Sequence, residues 1–206
     1  MHPATIFHEN DRDRLRALVR ERGFALIAAA SGNRPVVAQA PVILTERRLR
    51  FHLAASNPMC PALCSGAVAV ATVAGPDAYV SPDWYAAADQ VPTWNYVSVE
   101  IEGSVRVLTT DETRGLLDDL SAHFEARLAP KPPWTRGKMN PARFEAMLDA
   151  IVGFEMTIER FSGVSKLSQN KPVGEIARLA LRLAERPDAG SRQIADLMSA
   201  GPKQRR

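Results

Sequence analysis

Apolar and polar residues alternate over several short stretches of the chain, which is typical of antiparallel strands. The clearest run extends from Val97 to Val107, where valine or isoleucine takes every second position except at Gly103, and serine, glutamate or arginine lies between. A glycine inside such a strand predicts a bulge or a sharp bend. Further strands are predicted at FALIAAA, PVVAQAPVIL, RLRFHLA, AVAVATVA and, as one last long strand, IVGFEMTIERFSG.

Helical spacing of apolar residues dominates the connections in the second half of the chain. Asn10 is predicted to cap a first helix that ends at Gly23. A longer helix is expected after Asp111, and Asn140 with Pro141 opens another. A short turn at PMCPALCSG and two terminal helices, GEIARLALRLAER and SRQIADLM, complete the predicted set.

The order of these elements predicts the fold class. Hairpin-linked strands come first and helices fill the later connections, so we expect a mainly β protein with about six strands in a small antiparallel barrel and with peripheral α-helices. A parallel doubly wound sheet would need helices between the first strands, and the sequence has none there.

Charge adds little to this description. The formal net charge of the 206 residues is +3, and much of the excess lies in the tail, at Lys203, Arg205 and Arg206. A nucleic-acid groove would need lysine and arginine over a whole face, so a solvated terminus is the preferred interpretation. The chain has neither an apolar run of about 18 residues nor the order of a signal peptide, which predicts a cytoplasmic protein.

Motifs for metals and nucleotides are missing from the sequence. Cys60 and Cys64 have no further ligands nearby, so we interpret them as two small apolar groups on a short helix. The four histidines are scattered, and neither a dinucleotide-binding glycine motif nor a P-loop occurs. No metal site is predicted.

The stretch FHLAASNP is the first candidate site. His52 lies on a strand, and Ser56 and Asn57 open the short helix that follows. A hydroxyl, an amide and free backbone N–H groups at a helix start suit an anion, whereas a simple N-cap explains the same residues. The sequence favours the cap.

Two further candidates combine aromatic and polar side chains. In VPTWNY, Trp94 suits stacking on a planar ligand and Thr93 and Asn95 suit its edge; a core tryptophan with a turn asparagine is equally consistent. The segment KLSQN, residues 166–170, suits a heteroaromatic ring and a phosphate, with an exposed loop as the alternative. In GPDAYVSPDWY, core packing or a subunit contact is expected for the three aromatic residues.

These stretches stand in the same order as in the PaiB-like family of FMN-binding negative transcriptional regulators, which the chain resembles from about Ile6 to Met198. The resemblance implies a split β-barrel of the flavin-reductase and pyridoxamine-phosphate-oxidase type over residues 1–170, with a C-terminal helical extension and basic tail over residues 171–206. It also implies a homodimer with FMN at the interface. The cofactor contacts that it implies are Gln39, His52, Ala54, Ser56, Asn57, Thr93, Trp94, Asn95, Lys166, Ser168, Gln169 and Asn170.

The sequence departs from the family pattern at three positions. Gln39 stands where the family has the histidine of HLP, Ala55 replaces an arginine and Cys60 replaces a tryptophan. Losing a cation beside a phosphate removes a charge-assisted hydrogen bond of roughly 1.5–3 kcal/mol. Lys166 or an arginine of a partner chain can compensate for that loss.

Three functions are consistent with this resemblance. The first is FMN-dependent negative regulation of transcription, although direct DNA contact is not favoured because the arginines of the terminal helices are balanced by acids. The second is NAD(P)H-dependent reduction of a small substrate through flavin, for which no catalytic residue stands out. The third is haem binding, for which His52 is the first candidate ligand.

Overall fold

The computed structural model describes residues 2–201 and contains eight strands and six α-helices within them, besides short 3-10 turns. The strands are β1 (His8–Glu9), β2 (Phe24–Ser31), β3 (Arg34–Leu44), β4 (Arg48–Ala54), β5 (Val68–Val80), β6 (Thr93–Val107), β7 (Ile151–Thr157) and β8 (Arg160–Lys166). The helices are α1 (Arg12–Arg22), α2 (Cys60–Cys64), α3 (Thr110–Glu125), α4 (Pro141–Leu148), α5 (Val173–Ala184) and α6 (Ala189–Ser199). None of these helices is long and apolar enough to span a membrane.

The described chain divides into two compact units. The first unit contains residues 2–15, 74–99 and 162–201, and the second contains residues 16–73 and 100–161. Strands β5 and β6 belong partly to each unit. The predicted domains, 1–170 and 171–206, follow a different division and stay a prediction.

The second unit is built around a closed ring of strands in the order β6-β5-β2-β3-β4-β7, in which β7 also pairs with β6. The pairings of β2 with β3 and β5, of β3 with β4, and of β7 with β4 and β6 are antiparallel. Alternating residues of these strands point inward, where Phe51 stacks on Phe154 with ring centroids 5.5 Å apart. The predicted mainly β barrel with peripheral helices is therefore confirmed.

The first unit surrounds a separate apolar cluster. Helices α5 and α6 bury Leu179, Leu183, Ile194 and Met198 against the end of β5 at Val80. Strand β1 pairs antiparallel with β8. Asp188 caps α6 by accepting a hydrogen bond from the Ser191 amide at 2.7 Å.

Several predicted boundaries need correction. The predicted single strand over residues 151–163 is two strands, β7 and β8. The chain leaves the ladder between them because the Ile158 and Glu159 amides bond to the carbonyl oxygens of Arg47 and Glu102, at 3.1 and 2.9 Å. Two strands are also longer than predicted: β5 continues to Val80 through residues predicted as loop, and β6 begins at Thr93.

Other corrections concern the ends of elements. Asp11, not Asn10, caps α1, since its Oδ1 accepts from the amides of Asp13 and Arg14, each at 3.1 Å. Gly23 ends that helix as predicted, with φ of 57°. Lys166 lies on β8 and not in a loop. The basic tail residues Lys203, Arg205 and Arg206 lie outside the described residues.

Candidate functional site

Trp94 lies at the start of β6 with its side chain directed outward. Alternation along β6 buries Asn95 and leaves the Trp94 side chain 54% exposed. The Trp94 ring meets the ring of Tyr79 edge to face, with centroids 6.0 Å apart. Trp94 therefore presents a broad apolar face beside a second aromatic ring.

These rings form part of a cavity of about 480 Å³ in the first unit. Its lining residues are Asp77, Ala78, Tyr79, Trp84, Trp94, Arg186, Asp188 and Ser191. The volume falls within the range of about 300–1,000 Å³ that is typical of small-molecule sites. Three aromatic residues and a cation give this cavity, called the Trp94 cavity below, the chemistry needed to hold a flat ring.

Lys166 lies directly beside Trp94. Its Nζ donates hydrogen bonds to the main-chain oxygen of Trp94, at 2.6 Å, and to the hydroxyl of Thr93. Within residues 2–201 no carboxylate forms an ion pair with this ammonium group, and the ring of Phe7 lies 5.8 Å away. Burial lowers the pKa of Lys166. An anionic ligand group near Lys166 would meet a positive charge that no described acid neutralises.

Asn95 and Ser168 contact each other instead of the cavity. Both are buried, and each donates to the other: Asn95 Nδ2 to Ser168 Oγ at 3.0 Å and Ser168 Oγ to Asn95 Oδ1 at 3.1 Å. Ser168 has φ of 60°, which is uncommon outside glycine. The pair holds the segment after β8 in place and leaves little polar capacity for a ligand.

The remaining residues of that segment differ in what they offer a ligand. Gln169 closes the turn on itself, since its Nε2 donates to Ser165 O and its Oε1 accepts from the Leu167 amide at 2.7 Å. Asn170 is exposed. The structure therefore brings Thr93, Trp94 and Lys166 together at the surface and uses the other predicted residues mainly to shape the turn.

The other group of predicted contacts lies in the second unit. Gln39 is exposed on β3, opposite Leu26 in the β2–β3 register, and Ala54 is the exposed last residue of β4. Asn57 Oδ1 accepts from the Met59 amide at 2.9 Å, while Ser56 is exposed. The N-cap residue of α2 is Met59 and no side chain caps this five-residue helix, so Asn57 closes a turn before the helix and is not its cap.

His52 lies on the outer side of β4, between the buried residues Phe51 and Leu53. Its buried Nδ1 makes no hydrogen bond with any described residue. Burial lowers the pKa of His52, so the imidazole is neutral at physiological pH. His52 borders a second, smaller cavity within the second unit.

Among residues 2–201, no group of three or more histidine, cysteine or acidic residues could hold a metal ion. Cys60 is buried and Cys64 is exposed, and both are free thiols.

The packing prediction for GPDAYVSPDWY is confirmed for Trp84 and Tyr85, which pack against the core of the first unit. Arg186, which precedes α6, also borders the Trp94 cavity. No sequence pattern predicted this position for Arg186.

The residues around Trp94 have the chemical groups that FMN binding requires. Tyr79, Trp84 and Trp94 offer aromatic surface for a flat ring, and Lys166 offers an unneutralised cation. The acids Asp77 and Asp188 make their side of the cavity unfavourable for a phosphate. Arg186 borders the cavity and Lys166 bonds the main chain of Trp94, so these two cations are the groups that would attract the negative charge of a bound FMN.

Comparisons with known proteins place these observations in a family. A family model described as "Putative FMN-binding domain" matches residues 1–160. The "Protease synthase and sporulation protein PAI 2" of Bacillus subtilis (strain 168) is 25% identical over 202 residues, which cover 96% of each chain. This relative confirms the resemblance to PaiB.

Solved structures show the same fold. The FAD and heme binding protein from Mycobacterium smegmatis matches with a TM-score of 0.60 and 24% identity, over 82% of this chain and 78% of its own. The flavocytochrome Anf3 from Azotobacter vinelandii matches with a TM-score of 0.57 and 16% identity, over 80% and 72%. The predicted split-barrel fold agrees with these structures, and the predicted cofactor, FMN, agrees with the family model. Since the family model covers well over half of the chain, the protein belongs to the FMN-binding domain family.

Proposed function

We propose that this protein binds FMN in the Trp94 cavity and that the regulatory role implied by the PaiB resemblance depends on that binding. The observation that carries the proposal is an aromatic cavity whose Trp94 is bonded at its main-chain oxygen by Lys166, a cation that no described carboxylate neutralises. An aromatic wall binds the flavin ring, and a part-buried cation attracts its phosphate or its reduced, negatively charged form. The predicted cytoplasmic location stays a prediction.

A homodimer completes the proposal. The outer face of the sheet in the second unit exposes large apolar side chains at Phe24, Leu26, Val37 and Val68. Such a face is typical of a surface that another protein covers. Gln39, one of the predicted cofactor contacts, lies on the same face as Leu26, so a second copy bound there could bring residues of two chains to one FMN molecule.

Enzymatic reduction of a small substrate is the second candidate function. FMN would supply the chemistry by taking two electrons from NAD(P)H and passing them to a substrate. Lys166 favours this candidate, because a nearby cation stabilises the negative charge that a reduced flavin carries. We propose Lys166 as a residue that tunes the flavin and assign no residue as a general acid or base.

Regulation through direct DNA reading has less support. Helix α6 exposes Arg192, Gln193 and Asp196, a set without net charge. The Arg192 guanidinium is held by the carbonyl oxygens of Arg186 and Pro187. A recognition helix needs free basic side chains toward the phosphates, so we propose that any control of transcription works through the flavin or through a partner.

Haem binding at His52 is also less favoured by the geometry. The cavity beside His52 has a volume of about 240 Å³. Pockets that enclose drug-sized ligands measure about 300–1,000 Å³, and a haem is no smaller than such ligands. Flavin is therefore the better match to the cavities of this protein.

Titration of the purified protein with FMN tests the proposal, followed by flavin fluorescence and by the visible spectrum. We expect saturable binding that Trp94→Ala weakens by about tenfold or more, since stacking on an aromatic ring contributes about 1–3 kcal/mol by alanine substitution for nucleobases. Trp134→Ala, which removes a tryptophan of the second unit, is the matched control and should bind as the wild type does. Unchanged binding in Trp94→Ala would exclude the Trp94 cavity as the flavin site.

A further inference from the structure

A second cavity lies entirely within the second unit, against the outer side of β4. Its volume is about 240 Å³. Its apolar lining comes from α3, α4 and the segment between them, together with the start of β7. The apolar residues are Leu117, Trp134, Met139, Phe144, Met147, Leu148 and Ile151.

Only four polar residues border this cavity: His52, Asp118, Ser121 and Arg136. Asp118 and Arg136 form an ion pair at 3.2 Å and neutralise each other. The Ser121 hydroxyl donates to the carbonyl oxygen of Leu117 at 2.8 Å. Three of the four polar groups are thus already engaged within the protein.

His52 is the exception. Its Nδ1 is buried from water and has no hydrogen-bond partner in the part of the chain that the structure describes. Buried polar groups in folded proteins are nearly always paired, so an unpaired imidazole beside a cavity indicates a missing partner. Burial keeps this imidazole neutral, so it has one N–H donor and one acceptor nitrogen.

The size of the cavity limits the ligand. An apolar cavity of about 150 Å³ can bind benzene in another protein. A volume of about 240 Å³ therefore admits one aromatic ring with a substituent. A charged ligand would be disfavoured, because the single ion pair is already balanced and the remaining lining is apolar.

We propose that this cavity is a binding site for a small neutral aromatic molecule that carries one hydrogen-bonding group, with His52 as the polar anchor. The site shares no lining residue with the Trp94 cavity, and the proposal does not depend on FMN. A phenolic hydroxyl or a heteroaromatic N–H is the kind of group that the imidazole would bind.

Phenol and toluene are the probes that separate this proposal from simple apolar filling, since they have nearly the same shape and differ in one hydroxyl. Isothermal titration of the wild-type protein should give saturable phenol binding, about tenfold tighter than toluene binding. His52→Leu should abolish the preference for phenol and leave toluene binding within about twofold of the wild type. Equal affinity of the wild type for both probes, or no saturable binding of phenol, would overturn the proposal.

Two control variants and one spectrum complete the experiment. Ser65→Ala should retain the preference for phenol because Ser65 borders neither cavity, and Trp94→Ala should retain it because Trp94 lies in the other cavity. The ¹⁵N resonances of the His52 ring in the wild type should shift on addition of phenol and not of toluene. This spectrum needs no variant, so the proposal can be tested even if His52→Leu does not fold; unmoved His52 resonances at saturating phenol would overturn it.

Discussion

The ammonium group of Lys166 donates a hydrogen bond to the main-chain oxygen of Trp94, 2.6 Å away. This bond joins the end of β8 to the beginning of β6 and holds a positive charge at the main chain of Trp94. The carbonyl partner does not neutralise the charge as a carboxylate would. Lys166 can therefore fix the backbone at Trp94 and still attract an anion.

Replacement of Lys166 by methionine keeps the length of the side chain and removes its charge. We expect FMN affinity to fall by about tenfold, the lower part of the range for one charge-assisted hydrogen bond, because Lys166 is only part-buried. Lys171→Met is the matched control, since Lys171 Nζ bonds Gln90 Oε1 at 2.6 Å and does not bond Trp94. Fluorescence titration measures both variants, and equal losses in the two would show that Lys166 has no specific role.

The affinity for FMN should also depend on pH through Lys166. Burial lowers the pKa of Lys166. As pH rises, its ammonium group therefore loses its proton at a lower pH than an ordinary lysine, whose pKa is about 10.4. Because the charged form binds the anion, affinity should decrease as pH rises through the lowered pKa. Titrations from about pH 7 upward should show this decrease in the wild type and not in Lys166→Met, and parallel curves would contradict the assignment.

The proposed dimer surface can be tested with a single charge. Leu26 is 41% exposed on β2, within the apolar outer face of the second unit. Leu26→Asp places a carboxylate in that face, so we expect the dimer to become a monomer in light scattering coupled to size exclusion. Leu181→Asp is the control, because Leu181 is 69% exposed on α5 in the first unit. If only Leu181→Asp produced a monomer, the dimer interface would have to include α5 and not the proposed face.

The hydrogen bonds between Asn95 and Ser168 predict a strong energetic coupling. Asn95→Leu and Ser168→Ala each remove the two hydrogen bonds between these buried side chains, and the contact of Asn95 Nδ2 with Met198 Sδ at 3.4 Å is a weak replacement, so each should lower the free energy of unfolding by about 1–3 kcal/mol. The double variant removes both partners and should cost less than the sum, by about 0.5–3 kcal/mol. Urea unfolding of the four proteins measures the cycle. Additive losses would contradict the buried pair.

Asn95 also shows how far sequence patterns reach. Period-2 alternation predicted the barrel strands, with β6 starting at Val97. The same alternation places Asn95 on the face of Val97 and Val99, which is the buried face. Starting the strand at Val97 instead of Thr93 hid this signal and made Asn95 look available to a ligand.

Other features of the site depend on tertiary contacts that no local pattern carries. Arg186 borders the Trp94 cavity because α5 and α6 pack on β5, and its neighbours in sequence give no sign of that. Ser168 adopts φ of 60° where a sequence pattern would favour glycine or asparagine, and its bonds to Asn95 explain that choice. The same limit applies to His52, whose strand was predicted but whose cavity was not.

Two glycines predict opposite responses to alanine. A Cβ atom at Gly103 would lie 1.7 Å from the carbonyl oxygen of Thr157, so the backbone would have to move. Gly103→Ala should therefore destabilise the protein by about 1–3 kcal/mol or more. Gly115 lies within α3 with nothing within 4 Å of the added atom, so Gly115→Ala should stabilise by roughly 0.5–1 kcal/mol. Thermal unfolding measures both, and a neutral Gly103→Ala would disprove the close approach.

Glu112 predicts a stability change in acid. Its carboxylate bonds Arg106 Nη2 at 2.8 Å and accepts from the Thr109 amide at 2.8 Å, completing the capping box of α3. Arg106 is the main reason that the pKa of Glu112 is lowered from 4.5 to about 2. A carboxyl group with a lowered pKa in the folded state stabilises the protein above its ordinary pKa and loses that contribution as pH falls toward the lowered value.

Glu112→Gln separates the charge from the cap, because glutamine also serves in a capping box. We expect the variant to be less stable than the wild type at neutral pH, with the difference shrinking between pH 4.5 and about 2, where Glu112 becomes protonated. Since Glu112 is on the surface, high salt should reduce the neutral-pH difference as well. Urea unfolding across this pH range tests the assignment. If the stability difference between Glu112→Gln and the wild type persisted at about pH 2, the charge of the carboxylate would not be its cause. The glutamine would then have failed to replace Glu112 in the capping box.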